Sequence, residues 1–332
     1  MMQLIGRMLG KLLLAMAIAV ADNAWATVIK SDDFEGYTMG DVDCSDMLAG
    51  GWDGCKELPA ARYPNRSSDI SIVTSIPDHS GGMCSGSKAM RMYADARAEQ
   101  TDVNIRTGSG DSDTYDNYIP PVAWFQVCVY INYSGAELST TAGRTMKFFY
   151  PCASIYPCHD NYWLLEMGTN SYNPFWASHG DPSDGNLYIA SQAKSTGNPY
   201  WASGPQENRH KLGQTSLAEW IKPNRWNVLR CKTDFSNTAA AQLDCWIGAK
   251  GSALTNVMSW HGGTPVEGRD FTWTVPAAKG SRTFSIPTTV PAPNRSGPEI
   301  FMYLDDFIIA TSEDDLPDYS NGAHEPAMAA SR

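Results

Sequence analysis

RWNVLRCKTDFSNTAAAQLDCWIGAKG, residues 225 to 251, is the stretch that decides the fold class. Two runs of alternating apolar and polar residues flank a Ser-Asn-Thr-Ala turn, which is the pattern of a β-hairpin. Pairing the runs in register brings Cys231 and Cys245 opposite each other or nearly so. A disulfide there staples the two strands together. Outward from this hairpin, runs rich in β-branched and aromatic residues recur between Gly, Pro, Asn and Ser clusters: SDISIVTS (68–75), KAMRMYA (88–94), DVNIRT (102–107), AWFQVCVYIN (123–132), RTMKFFY (144–150), YWLLEMG (162–168), GNLYIAS (185–191), FTWTV (271–275) and EIFMYLDDFIIA (299–310). Only LGQTSLAEWI (212–221) reads as a short helix or turn. Many short strands without intervening helices predict an all-β antiparallel sandwich of the jelly-roll kind.

The ends set the compartment. Residues 1–26 carry Arg7 and Lys11, then LLLAMAIAV (12–20), then Ala24-Trp25-Ala26, which is the build of a signal peptide with a small-residue cleavage site. Its apolar core falls well short of the ~20 residues a membrane span needs, so a retained anchor is the lesser reading. The expected domain organisation is a leader (1–26), one sandwich domain (27–317) and a flexible C-terminal tail (318–332), with the mature protein secreted, extracellular or periplasmic. The formal charge of −11 becomes −12 once the leader, which holds one net positive charge, is removed. Such an acidic surface argues against nucleic acid and anionic lipid as partners, and binds a polyanionic glycan only where basic residues are concentrated. Eight cysteines follow the leader: Cys44, Cys55, Cys84, Cys128, Cys152, Cys158, Cys231 and Cys245. An even number in an exported chain reads as up to four disulfides. Proximity favours Cys44 with Cys55, Cys152 with Cys158 and Cys231 with Cys245, leaving Cys84 for Cys128, although eight cysteines allow 105 pairings.

FMYLDDFIIATSEDDLP (301–317) sets two adjacent carboxylates in an apolar strand. Strict alternation puts Asp305 on one face with Phe301, Tyr303 and Phe307, and Asp306 on the other with Met302, Leu304 and Ile308. Each buried carboxylate then needs donors, a basic group or a cation.

A strand opening in Trp, a polar turn, Asp-x-Trp-x-Gly in LDCWIG (243–248) and an Asp-Asp-Phe strand in YLDDFIIATS (303–312) resemble the concanavalin A-like lectin/glucanase jelly rolls. With SDDFEGY (31–37), KAMRMY (88–93), AWFQVCVYINY (123–133) and NRWNVLRCKT (224–233), the chain is similar above all to secreted polysaccharide-lyase-like and laminin-G-like members. The resemblance implies two stacked antiparallel sheets with the first and last strands adjacent, glycans bound across a concave face, and a structural calcium near the termini. Asp33, Glu35, Asp305 and Asp306 are its candidate ligands. The competing reading has the aspartates accept backbone amides or pair with an arginine, joining the termini without metal. No organic cofactor is expected.

Three functions compete for the cleft. Hydrolysis needs two carboxylates about 5–10 Å apart, and the Glu-x-Asp-x-x-Glu motif of the jelly-roll glucanases is missing; Glu166 stands alone. A uronate lyase needs cations or amides on the carboxylate and a Tyr, Lys or His to take the C5 proton. Arg91, Arg106, Gln126 and Lys147, with Tyr93 or Tyr130 as base, are the candidates for that role. Lys147 is expected to share a face with Phe149. The Arg-x-Glu-x-Arg and Gln-Ile-His motifs of alginate lyases do not occur in the chain. Binding alone needs aromatic platforms and polar partners for sugar hydroxyls. Eleven Trp and fifteen Tyr supply them: Trp124, Trp163, Trp176 and Trp201, with Glu166, are the candidate contacts, and N-P-F-W-A-S (173–178) echoes N-P-Y-W-A-S (198–203). A polysaccharide is therefore the expected partner, and a structural or adhesive surface domain is the remaining alternative.

Overall fold

The computed structural model describes residues 28–52, 54–56, 70–77, 79–93, 102–107, 119–132, 145–152, 161–168, 186–193, 208–216, 221–222, 224–237, 242–261, 283–289 and 301–320. The expected leader, the strand 271–275, Cys158, Trp176, Trp201 and the tail from residue 321 lie outside the described residues. In chain order the strands are β1 (Val28–Asp32), β2 (Gly40–Val42), β3 (Gly54–Lys56), β4 (Ile70–Val73), β5 (Ala89–Tyr93), β6 (Asp102–Thr107), β7 (Val122–Ile131) and β8 (Thr145–Cys152). They continue as β9 (Asn161–Gly168), β10 (Asn186–Ala193), β11 (Asn208–Ser216), β12 (Trp226–Asp234), β13 (Gln242–Ala249), β14 (Thr255–His261), β15 (Thr283–Thr289) and β16 (Phe301–Ala310). A single α-helix among the described residues, α1 (Cys44–Ala49), starts at Asp43, whose carboxylate accepts the Asp46 amide while Asp46 caps the Asp43 amide in return. Leu212 to Ser216, read from sequence as part of a helix or turn, belongs instead to β11, because pairing with β10 overrides a weak local preference.

Two antiparallel sheets result. The first runs β14-β13-β12-β7-β16-β5-β4-β2, with β1 also on β16; the second runs β11-β10-β9-β8-β15-β6-β3. The β12–β13 hairpin forms in the expected register, with Cys231 directly opposite Cys245 and the disulfide closed across the pair. First and last strands are neighbours, Ser31 opposite Ile308 and Asp32 opposite Phe307.

Between the sheets lies the core. Ala123, Phe125, Val127, Val129 and Ile131 of β7 alternate inward with Leu229, Leu243, Ile247, Met302 and Leu304, and Phe125 meets Phe149 of β8 at 6.4 Å between ring centroids. Each of these side chains larger than alanine contributes about 1.5–3 kcal/mol on burial. The other face of the first sheet carries Trp124, Gln126, Cys128 and Tyr130 and is also covered. Residues 76–77 and 79–84 lie across it, fixed by a Cys84–Cys128 disulfide, and the segment after β16 crosses it too, with Leu316 and Tyr319 buried. Arg230 fastens this second strap, donating to Gln126 Oε1 (2.7 Å), Glu313 Oε1 (2.9 Å) and the Pro317 carbonyl (3.1 Å). The Cys84–Cys128 bridge closes a separation of 44 residues. Replacing both cysteines with Ala is expected to lower the unfolding free energy by about 3–4 kcal/mol, read from urea denaturation against the native protein.

Two bulges change which residues share a face. In β16, Asp305 pairs with Cys128 but Ile308 pairs with Gln126, so the strand spends one residue more than β7, and Asp306 takes φ 47°. Asp is among the few residues that enter this region at low cost. Strict alternation therefore fails after Asp305: Phe307 and Ile309 join Met302 and Leu304 in the core, whereas Ile308 and Ala310 lie with Tyr303 on the outer side. In β8, Lys147 pairs with Glu166 and Phe149 with Leu165, again one residue extra. Phe149 is fully buried in the core, so Lys147 takes a position on the opposite face from it, against the sequence expectation.

Candidate functional site

The face of the second sheet away from the core gathers the chemistry. Leu165 lies opposite the core residue Phe149, so its neighbour Glu166 occupies an outer position. From there one register row crosses four strands: Lys147 of β8, Glu166 of β9, Tyr188 of β10 and Lys211 of β11. Strands sit ~4.8 Å apart, so the row spans roughly 14 Å. A second row places Tyr150 beside Ser285 and Ser285 beside Arg106. Arg209, opposite Ala190, and Lys56, opposite Asn104, also occupy outer positions. Five basic residues (Lys56, Arg106, Lys147, Arg209, Lys211) thus share this face with two acids (Asp102, Glu166) among its described strand positions. This basic excess contrasts with the acidic excess of the chain as a whole.

Of the residues singled out from sequence, Lys147 and Glu166 are register neighbours here, and Arg106 shares the face two strands beyond β8 and in another row. Trp163, opposite Ser191, falls on the core-side parity of the same sheet. Arg91, Trp124, Gln126 and Tyr130 belong to the outer face of the first sheet. There Arg91 Nε donates to Ser71 Oγ (2.8 Å) and its guanidinium lies 4.8 Å from the centre of the Phe301 ring. Trp124 stacks on Trp246 at 5.7 Å with Lys232 Nζ 5.4 Å from its ring. Gln126 is 0% exposed and holds Arg230 and the Pro317 carbonyl, and Tyr130 is 1% exposed, edge-on to Trp226 and Tyr303. Tyr93 pairs with Phe301 at the end of β5. Sequence reasoning passed over Tyr188 and Lys211. The signal for Tyr188 was the alternation in GNLYIAS, which sets Asn186, Tyr188 and Ala190 against Leu187 and Ile189.

A second cluster forms where the chain ends meet. Asp305 Oδ2 accepts the Ser85 amide (2.7 Å), and Oδ1 accepts the Asp306 amide (2.8 Å) and the Ser85 hydroxyl (3.3 Å). Glu35 accepts the amides of Ser87 (2.6 Å) and Lys88 (2.7 Å) and the Ser87 hydroxyl (2.9 Å), and Asp33 Oδ1 accepts the Glu35 amide (3.1 Å). Burial, reinforced by the neighbouring Asp306, pushes the Asp305 carboxyl up to about 8. Burial also raises Asp306 to about 6, the charges of Asp33 and Glu35 adding to it while Ser85 and Lys250 oppose it. Desolvation would raise Glu35 as well, but the Ser87 and Lys88 hydrogen bonds and the Lys88 charge outweigh it and hold this carboxyl below its ordinary value. The donor set does not fit calcium, which takes six to eight oxygens. Most of these carboxylate oxygens already accept amides or hydroxyls, and two lysine ammonium groups lie among them.

Among the described residues no helix is long and apolar enough to cross a membrane. No family model matches the chain, and no curated protein matches it. Solved structures do. An alginate lyase of the PL-14 class from Aplysia kurodai is similar over 86% of this chain and 99% of its own, with 12% identity and a TM-score of 0.49. An endo-beta-1,4-glucuronan lyase from the fungus Trichoderma reesei is similar over 87% of this chain and 98% of its own, with 9% identity and a TM-score of 0.46. The botulinum neurotoxin type C chain, described by its interaction with two ganglioside molecules, is matched over 48% of its length at 9% identity and a TM-score of 0.40.

Proposed function

We propose that this is an exported protein that binds a uronate-containing polysaccharide across the outer face of the second sheet and cleaves it by β-elimination. The row Lys147–Glu166–Tyr188–Lys211 carries the reading, with Arg106 flanking it. Elimination removes the proton from C5 of the uronate, breaks the C4–O bond, passes a proton to the departing oxygen and leaves a C4–C5 double bond. Its barrier is the charge that builds on the carboxylate side of C5. Lys147 supplies the positive charge that neutralises it, Lys211 and Arg106 hold the uronates of flanking sugar units on either side, Tyr188 is the proton carrier, and Glu166 tunes the lysine and tyrosine between which it sits. Export is supported by the leader-like residues 1–26 and by the disulfides Cys84–Cys128 and Cys231–Cys245.

Retention on an immobilised polyuronate tests the binding half. Wild-type protein is expected to be retained and released by salt, and the Lys147→Glu, Lys211→Glu double variant to bind at least about tenfold more weakly. Equal retention of the two proteins would remove the face from consideration. Binding without any unsaturated product would leave a glycan-binding module, the reading in which Glu166 and the aromatic residues serve only to hold hydroxyls.

A further inference from the structure

The cluster joining the chain ends is built around ammonium groups. Lys88 Nζ donates to the carbonyls of Glu35 and Tyr37, both at 2.7 Å, and so draws in the turn after β1. Lys250, in the turn after β13, donates from Nζ to the carbonyls of Cys84 (2.5 Å) and Met83 (3.3 Å). The loop 83–88 is therefore gripped on both sides: its amides end on Glu35 and Asp305, and its carbonyls on Lys250. Asp306 Oδ2 is buried among these groups and accepts no hydrogen bond. Convergent backbone carbonyls with two to four carboxylates are the ligands a calcium ion collects. Here the carbonyls already face ammonium groups, whose charge would repel a divalent ion at the same place.

We propose that Lys88 and Lys250 serve as the built-in cations of this clasp, taking the place of a divalent ion, so that closure of the chain ends does not depend on calcium. The inference concerns a different part of the molecule from the proposed glycan face and stands whether or not that face binds sugar. Thermal unfolding of the full mature chain tests it, with a strong chelator, with added calcium, and in the variants Lys250→Met and Lys88→Met. The wild-type melting temperature is expected to be the same with chelator and with calcium. Each methionine variant, which keeps the unbranched stem and removes the ammonium group with its charge and donors, is expected to melt lower by about 4 °C or more. A fall in wild-type melting temperature on chelation, or a comparable rise with calcium, would overturn the proposal, and so would a Lys250→Met protein that melts like wild type. If a variant fails to fold, the chelator and calcium comparison on the wild type still decides whether an ion closes the clasp.

Discussion

Tyr188→Phe is expected to lower the release of unsaturated product from a polyuronate by at least about 100-fold, the usual scale for losing a positioned proton carrier. The loss should appear in kcat with KM little changed, because the phenyl ring keeps its place in β10 and only the hydroxyl is removed. Lys211→Ala, at the end of the same row, is expected instead to raise KM, since a cation at the rim of the face binds ground state and transition state alike. Lys147→Ala should do both. It stands next to the inserted residue of β8 and on the far side of Glu166 from Tyr188, where a carboxylate held for reaction needs its charge met. Steady-state kinetics of the three variants, each checked by circular dichroism for the native sheet signal, separates these roles.

Stability should fall as pH rises from about 4 to about 8. The Asp305 carboxyl is raised to about 8 and that of Asp306 to about 6, against an unfolded value near 3.9, so the folded protein holds protons in this window that the unfolded chain has released. A raised carboxyl contributes its stability below the unfolded value and loses it as pH passes the folded one. For Asp305 the difference is on the order of 5 kcal/mol across the window, a fall of roughly 10 °C in melting temperature. Asp305→Asn, which keeps an acceptor for the Ser85 amide and removes the ionisation, should flatten the profile. Glu35 acts in the opposite direction and elsewhere. Its lowered carboxyl gives stability above the ordinary carboxylate range that is lost only in more acid solution. A melting temperature independent of pH between 4 and 8, or an Asp305→Asn profile as steep as wild type, would contradict the buried-acid account.

Much of the scaffold was legible because it rests on local pattern. The alternation in 225–251 brings Cys231 and Cys245 opposite each other or nearly so, as the β12–β13 pairing has them, and AWFQVCVYIN reads directly as a strand, β7. The meeting of SDDFEGY with YLDDFII came through the resemblance to jelly rolls, since no local signal pairs the two ends of a chain. What failed was counting by twos. An inserted residue at Asp306 and another in β8 each flip the strand beyond them, and neither announces itself: Asp306 is one of two adjacent aspartates, and the extra residue of β8 sits in a run of aromatics. The candidate site was only half visible for a related reason. Lys147, Arg106 and Glu166 stood out as charges on strands, but Tyr188 joins them through the pairing of β9 with β10, across a long intervening stretch that carries no register signal of its own. Trp124, Gln126 and Tyr130 drew attention as polar or aromatic positions on a strong strand. Their face is covered by two straps, residues 76–77 with 79–84 and the segment after β16, whose packing is decided by a disulfide and by Arg230 rather than by β7 itself.

The most direct test is to incubate the purified mature protein with a panel of polyuronates and follow the ultraviolet absorbance of the C4–C5 double bond, in parallel with Tyr188→Phe. The account predicts a steady rise with at least one polyuronate and a nearly flat trace for the variant. A flat wild-type trace across the panel, together with no retention on any of the immobilised polymers, would contradict it.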